Sequence, residues 1–383
     1  MKHECDIVLL SYESPKLLKR CVKSVLEGTC VPSRLIIVDN ASTEPEVKKY
    51  IMDVKGNETV SIEKVFSPEN AGFAAGMNKG LRLSDAPFVC ILNNDCVVAD
   101  GWIEEMLNVA LSRDDIGLVN PQSNTFGSRP DKGISINDHA SLIRDRKGKF
   151  VELGHAIGFA CLIKKEVIDR IGYLDEAYEG VCYEDTDFAA KAYEKGFISV
   201  MAEGSYVFHE EQASRKNLKG KEEIYLRNRT IFEDRWGRLL RVFFIDRTPV
   251  SEGNMPEQYE VLKALARERA LIHMWVRQDL PAKRAFAEFD RRKITRHADI
   301  GMTFLSGKNI SLKILWKVLT KKKKYDAVIM EKGVLFKVLR MLKPLHGTEI
   351  FSREEGMCAV SASGETFELE NPASFAAALR SGR

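Results

Sequence analysis

The eight cysteines, Cys5, Cys21, Cys30, Cys90, Cys96, Cys161, Cys182 and Cys358, include no CxxC pair and are dispersed through apolar stretches. That dispersal excludes a disulfide framework, a zinc knuckle and an iron–sulfur site. No apolar run reaches the length of about 18 residues that a spanning helix needs. The amino end, MKHECDIVLLSYE, meets acidic residues and a turn too early to form a secretory leader. Together these absences predict a reduced, cytoplasmic protein, in contact with a membrane only peripherally if at all. There is no GxxxxGK[ST] segment, and the glycines of NAGFAAGMNKG (70–80) do not spell GxGxxG, which argues against a P-loop or a dinucleotide fingerprint. A basic groove interleaved with aromatics is also missing, so no nucleic-acid partner is expected.

What is present supports a folded protein. With 383 residues, 44% of them hydrophobic and 30% charged, the chain has material for roughly two domains. The net charge of +3 hides an asymmetry: residues 1–210 carry −9, residues 211–350 carry +14 and residues 351–383 carry −2. Such a split suggests modules that meet different partners.

The first 120 residues alternate strand and helix signals. CDIVLLSY (5–12), SRLIIVDNAS (33–42), VSIEKVFS (60–67) and PFVCILNND (87–95) read as strands, with helices opening at Pro15, within AGMNKGLRLS (75–84) and at WIEEMLNVAL (102–111). Continuous apolar strands joined by helices predict a mostly parallel sheet covered on both faces, an α/β fold. Ligands of such sheets lie beyond the carboxyl ends of the strands, where SYE, DNAS, ENAG and NND fall. Residues 121–155 read as an irregular excursion, a candidate acceptor-side loop. AIGFACLIKKEVIDRIGYLDEAY then gives a strand and a helix, EDTDFAAKAYEKG a helix closed by Gly196, and FISVMAEGSYVFHE (197–210) a strand pair. Beyond 215 the reading is mainly helical, ending in a hairpin at 357–370.

The candidate chemistry sits at the strand ends. Asp95, after Asn93 and Asn94, is placed either to hold a divalent cation against a diphosphate or simply to complete an ordinary Asn-Asn-Asp turn. Asp39 is placed to accept from a nucleobase imide or a ribose hydroxyl, or to cap a turn. Gly72, Gly76 and Gly80 either permit close backbone approach to a nucleotide, with Asn70 and Asn78 as polar anchors, or simply open a glycine-rich helix. Glu184, Asp185 and Asp187 open a helix, either as dipole-stabilising surface acids or with one of them serving as a proton acceptor. His209 ends a later strand and is either a candidate imidazole ligand to the same metal or an ordinary strand-end histidine.

In their order, these segments resemble the inverting family-2 glycosyltransferases of GT-A fold, in particular the rhamnosyltransferase-like branch. The resemblance rests on VLLSYESPKLLKRCVKSVL, LIIVDNAS, ENAGFAAGMNKG, FVCILNNDCVV, IGFACLIKKEVIDRIGYLDEAY, YEDTDFAAKAYEKGF and VFHEEQAS, which cover most of residues 5–214. It implies transfer of a sugar from a nucleoside diphosphate to a hydroxyl of a glycan or lipid-linked saccharide, as in polysaccharide biosynthesis, with Mn²⁺ or Mg²⁺ as cofactor. By resemblance Asp39 is the base-recognition aspartate, Asp95 the metal-side aspartate of a divergent DxD element, Asp185 the catalytic base beside Glu184, and His209 the late metal-side histidine. Ser11, Tyr12, Glu13, Asn70, Gly72, Asn78 and Asn94 complete the expected donor site. The sequence departs from the family pattern at Asn93, where the first DxD acid is expected, and at Lys191, where arginine is common. The alternatives are a sugar nucleotidyltransferase, which lacks its glycine-rich loop here, and a non-catalytic nucleotide-sugar-binding protein.

The expected organisation is a catalytic domain over 1–215, a basic, mainly helical region over 216–350, and a hairpin with a short helix over 351–383. In 309–324, Ile310, Ile314, Leu315, Val318 and Leu319 share one helix face and Lys313, Lys317 and Lys321 another. This pattern fits packing within the chain, a homo-oligomer contact or peripheral docking on a membrane.

Overall fold

The computed structural model describes residues 3–180, 182–210, 220–251, 254–279, 281–307, 309–354 and 357–382. The EQAS end of the last motif and the expected 215/216 boundary lie outside them. The described chain forms two compact units, Met1–Arg235 and Trp236–Arg383.

The first unit runs β1 (Cys5–Ser11), α1 (Pro15–Gly28), β2 (Ser33–Asp39), α2 (Pro45–Asp53), β3 (Val60–Phe66), α3 (Gly72–Leu83), β4 (Phe88–Asn93), β5 (Cys96–Val98) and α4 (Trp102–Leu111). It continues with β6 (Ile116–Gln122), α5 (Ile136–Leu142), β7 (Phe150–Leu153), β8 (Ala160–Lys164), α6 (Lys165–Ile171), α7 (Glu184–Glu194), β9 (Ile198–His209) and α8 (Lys221–Trp236). The sheet order is β3-β2-β1-β4-β8-β6-β9-β5, with β7 also on β9. β1 and β2 bury nearly every side chain because helices cover both faces. α1 starts on Pro15, which needs no intrahelical N–H partner in the first turn, and buries Leu18, Cys21, Val22 and Val25 at helical spacing.

Two expectations change here. The sheet is mixed rather than mostly parallel: β8 runs antiparallel to both β4 and β6, and β5 and β7 run antiparallel to β9. Local apolar runs carry no strand direction, so the reversal could not be read from them. FISVMAEGSYVFHE is one strand of 12 residues, not a pair. The Glu-Gly-Ser signal marks a register shift against β6, whose Pro121 faces Ala202 and whose next residue, Gln122, faces Tyr206.

The second unit contains β10 (Leu240–Pro249), α9 (Met255–Arg267), β11 (Ala270–Arg277), α10 (Ala282–Arg291), β12 (Ile300–Leu305), α11 (Ile310–Thr320), β13 (Ala327–Met330) and α12 (Val334–Met341). It ends with α13 (Lys343–His346), β14 (Glu349–Glu354), β15 (Cys358–Val360), β16 (Thr366–Glu368) and α14 (Ala373–Ser381). Helices are abundant, as expected, but a sheet in the order β12-β11-β10-β13-β14-β15-β16 organises them. Its first five strands pair in parallel and the last two antiparallel. The expected hairpin forms as β15 and β16, yet it extends this sheet instead of standing alone. Val242 and Phe244 enter one apolar cluster while Phe243 and Ile245 enter another, the strand alternation of a sheet buried on both faces. At the carboxyl ends of β10, β13 and β14, Arg353 donates to Glu331 (2.6 Å) and Asp246 (3.2 Å), a largely buried ion cluster.

Candidate active site

The parallel pairing of β1 with β2 and β4 brings Ser11, Asp39 and Asn93 to one edge of the first sheet. Ser11 is fully buried, and its Oγ has no hydrogen-bond partner. Tyr12 beside it is 47% exposed, presenting its ring at the sheet edge. Glu13 and Ser14 both lie in the left-handed region (φ 53° and 58°), which turns the chain sharply into α1. Glu13 is committed within the fold: its carboxylate accepts from Thr43 N–H and Oγ1–H (both 2.8 Å) and Glu44 N–H (3.1 Å). Burial alone would raise its pKa, but these donors hold it below the ordinary value. Glu13 is therefore a brace for the loop before α2, not a free donor-site carboxylate.

Asp39 is buried and its Oδ1 accepts Ser42 N–H (3.1 Å), so it does close a turn. The next residue, Asn40, was not singled out from the sequence. Its Nδ2 donates to Asn70 Oδ1 (2.9 Å) and Gly72 O (3.0 Å), and its Oδ1 accepts Ala71 N–H (3.0 Å). Asn40 thus fixes the entry to α3 against the end of β2. Gly72 has φ 79° and open space at its Cβ position. Gly76 and Gly80 serve packing instead: an added Cβ would come within 2.7 Å of Leu10 and 2.3 Å of Val8. Asn78 is also redirected. Its amide donates to Leu174 O (2.9 Å) and Glu176 Oε1 (2.7 Å) and accepts Leu174 N–H (3.0 Å), tying α3 to the loop after α6.

β4 ends at Asn93, half-buried Asn94 forms the turn, and Asp95 follows, largely buried. Antiparallel pairing sets Cys96 opposite His209. His209 Nε2 lies 3.2 Å from Asp95 Oδ1, a buried oxygen with no hydrogen-bond donor. Asn124 holds the histidine backbone from both sides, donating to His209 O (2.9 Å) and accepting His209 N–H (2.7 Å). The imidazole stacks on Phe159, with centroids 5.1 Å apart. Asp95, Cys96 and His209 place ligand atoms within 4.8 Å of one another. Cys96 is the outlier chemically. Burial holds its thiol far above the ordinary pKa, and Sγ–H donates to Phe159 O (3.4 Å). A carboxylate oxygen and an imidazole nitrogen can ligate a divalent cation, whereas a protonated core thiol cannot. The unsatisfied Asp95 oxygen beside His209 fits such an ion.

Asp185 is set in the first turn of α7. Its Oδ2 accepts Gly158 N–H (2.8 Å), and its Oδ1 accepts Thr186 N–H (2.7 Å) and Oγ1–H (3.1 Å). Glu184 is buried next to it. Asp187 belongs to the framework: it accepts from Tyr178 OH (3.1 Å) and pairs with Lys191 (2.7 Å) and Arg235 (2.6 Å). The turn before α7 passes through Cys182 (φ 104°) and Tyr183 (φ 77°), a strained pair for non-glycine residues. Buried Asn228 of α8 holds that turn by donating to Glu179 O (2.9 Å) and Cys182 O (3.1 Å).

Two adjacent residues join the halves of this site. Gly158 contacts Asp185, and Phe159 contacts His209 and accepts Asn93 N–H (2.9 Å). Fully buried Asn120, also missed from the sequence, clamps their turn: it donates to Ile157 O (2.7 Å) and Ala160 O (2.6 Å) and accepts Ile157 N–H (3.1 Å). A cavity of about 580 Å³ opens on the His209 side, lined by Asn124, Thr125, Arg129, Pro130, Phe208, His209 and Glu210. The expected acceptor-side excursion supplies four of these seven residues, and farther along it carries α5 and β7.

Residues 6–172, within the first unit, match the family model described as glycosyl transferase family 2. An uncharacterized protein, y4gI, of Sinorhizobium fredii is 26% identical over 55% of this chain, which spans only 25% of that protein's length. The low-salt glycan biosynthesis hexosyltransferase Agl10 of Haloferax volcanii is 22% identical over 60% of this chain and 75% of its own. Among solved structures, the Pyrobaculum calidifontis mannosyltransferase PcManGT with GDP-Man and Mn²⁺ is similar at 16% identity, covering 62% of this chain and 64% of its own, with a TM-score of 0.43.

Proposed function

We propose that this protein transfers a sugar from a nucleoside diphosphate to a hydroxyl of a growing glycan, with inversion at the anomeric carbon and a GT-A-like site. The supporting observation is the convergence of Asp95, His209 and Asp185 around Gly158 and Phe159. Ser11, Tyr12, Asp39 and Asn94 border the same sheet edge, where a nucleotide belongs in an α/β fold.

In this reading Asp39 accepts the imide N–H of a pyrimidine base, which makes UDP- or dTDP-sugars the donors. Asp95 and His209 hold Mn²⁺ or Mg²⁺, which when bound supplies positive charge for the leaving diphosphate. Asp185 takes the acceptor hydroxyl proton as that oxygen attacks the anomeric carbon and the nucleoside diphosphate departs from the opposite face. Gly158 N–H fixes the carboxylate that receives the proton. Asn120 and Phe159 keep the two ends of the site in register, which is the positioning that transfer over water requires.

The test is a nucleotide-sugar panel with wild-type protein and Asp185→Asn. Turnover of a UDP- or dTDP-sugar is expected, and the variant should lose roughly 10²–10⁴-fold in rate with donor affinity retained. Preferred turnover of a GDP-sugar would overturn the base assignment. Donor binding without turnover would leave a binding protein.

A further inference from the structure

We propose that the α11–α13 face of the second unit docks on an anionic lipid bilayer. Among the described residues, five of the fourteen exposed large hydrophobic side chains fall between 310 and 346: Leu312 (64% exposed), Trp316 (71%), Val334 (81%), Met341 (72%) and Leu345 (70%). They are not the face that packs. Ile314 and Val318 of α11, with Leu335, Phe336 and Leu339 of α12, fill the apolar cluster on the sheet. The aliphatic stripe read from the sequence therefore faces inward, and a second apolar set stays outside. Leu312 and Trp316, four residues apart, share one side of α11. The three helices neighbour one another, so these residues decorate one layer.

Charge selects the occupant. Ten lysines and arginines lie between 310 and 346, against two acids, Asp326 and Glu331. Both acids are paired: buried Asp326 with Arg238 (2.7 Å) and half-buried Glu331 with Arg353 (2.6 Å). Lys332 and Lys343 pair with Glu354 and Glu349, while Lys313, Lys322, Lys323 and Lys337 are exposed. A second copy laid on this face would set like charge against like charge. A nucleic acid would meet the cations but offer nothing to Leu312, Val334, Met341 and Leu345. An anionic bilayer meets both: headgroups attract the lysines, and the interface takes the aliphatic side chains and an indole.

The experiment is co-sedimentation of the full chain with vesicles of phosphatidylcholine alone or mixed with phosphatidylglycerol, at low and high salt. Tryptophan emission is recorded in parallel. Wild-type protein should bind the anionic vesicles at low salt, with a blue shift, and release at high salt. Leu312→Ser with Trp316→Ala, both exposed positions, should lower partitioning at least about tenfold and abolish most of the shift, as expected for removing two apolar side chains from the interface. Lys322→Glu with Lys323→Glu should weaken binding to the anionic vesicles only. Absence of wild-type binding at low salt would overturn the proposal. So would unchanged partitioning of the Leu312/Trp316 variant when its thermal unfolding matches wild type, or sedimentation velocity showing instead a dimer that this variant dissociates.

Discussion

Asp95 and His209 make a pair whose value lies in what is left unsatisfied. A buried carboxylate oxygen without a donor is costly unless something positive approaches it. Asp95→Ala is therefore expected to abolish metal-supported transfer and to lower Mn²⁺ affinity measured by calorimetry on the protein alone. Unchanged Mn²⁺ binding would remove Asp95 from the metal site. At Gly158 the constraint is steric: an added Cβ would stand 3.3 Å from Asp185 Oδ2, tighter than ordinary contact. Gly158→Ala should push the carboxylate by a few tenths of an ångström and reduce the transfer rate several-fold while the unfolding temperature barely changes. A rate equal to wild type would show that Asp185 tolerates displacement.

Among elements, α8 does more for the site than its charged sequence suggests. It belongs to the first unit, beyond the boundary expected at 215, and Asn228 and Phe232 face the turn that delivers Asp185. Tyr183 packs against Phe232 with centroids 5.1 Å apart, and its hydroxyl contacts that of Tyr225 (3.3 Å). Asn228→Ala would remove the side-chain donor that reaches the Glu179 and Cys182 carbonyls, a loss of about 1–3 kcal/mol. Thermal unfolding should register that loss, and transfer should fall with it because the strained Cys182–Tyr183 turn relaxes. A variant that loses stability but keeps its full rate would separate the turn from the chemistry.

For the molecule as a whole, two units built on separate sheets predict a pH response that belongs to the second. His273 Nδ1 lies 2.7 Å from Tyr325 OH and 3.4 Å from Lys321 Nζ. Burial first, then the Lys321 and Lys317 charges, bring its pKa from 6.5 down to about 4. The folded state thus favours neutral imidazole. Its contribution is complete above pH 6.5 and fades as pH falls toward about 4, because the unfolded chain binds the proton first. Urea midpoints of the second unit should decline across that window, and His273→Gln should flatten the decline. An equal slope in the variant would assign the pH dependence to other groups.

The amino-acid sequence by itself determined the α/β alternation of the first 120 residues and the strand-end positions of Asp39, Asp95 and His209, along with the helix that carries Asp185. Those features are local: apolar runs and turn residues encode them within a few positions. Partnership was not legible. Glu13 and Asn78 looked as available as Asp95, and only the tertiary structure spends their polar atoms on Thr43 and Leu174. Asn40 and Asn120 carried no signal, since an asparagine is informative only once its carbonyl and amide partners arrive from distant segments. The second sheet was hidden for a related reason: ALIHMWVR (270–277) is a short apolar run between two charged helices, and its neighbours β10 and β12 are supplied by segments about 30 residues away on either side. Strand pairing and hydrogen-bond partners are long-range contacts, and periodicity along a chain does not specify them.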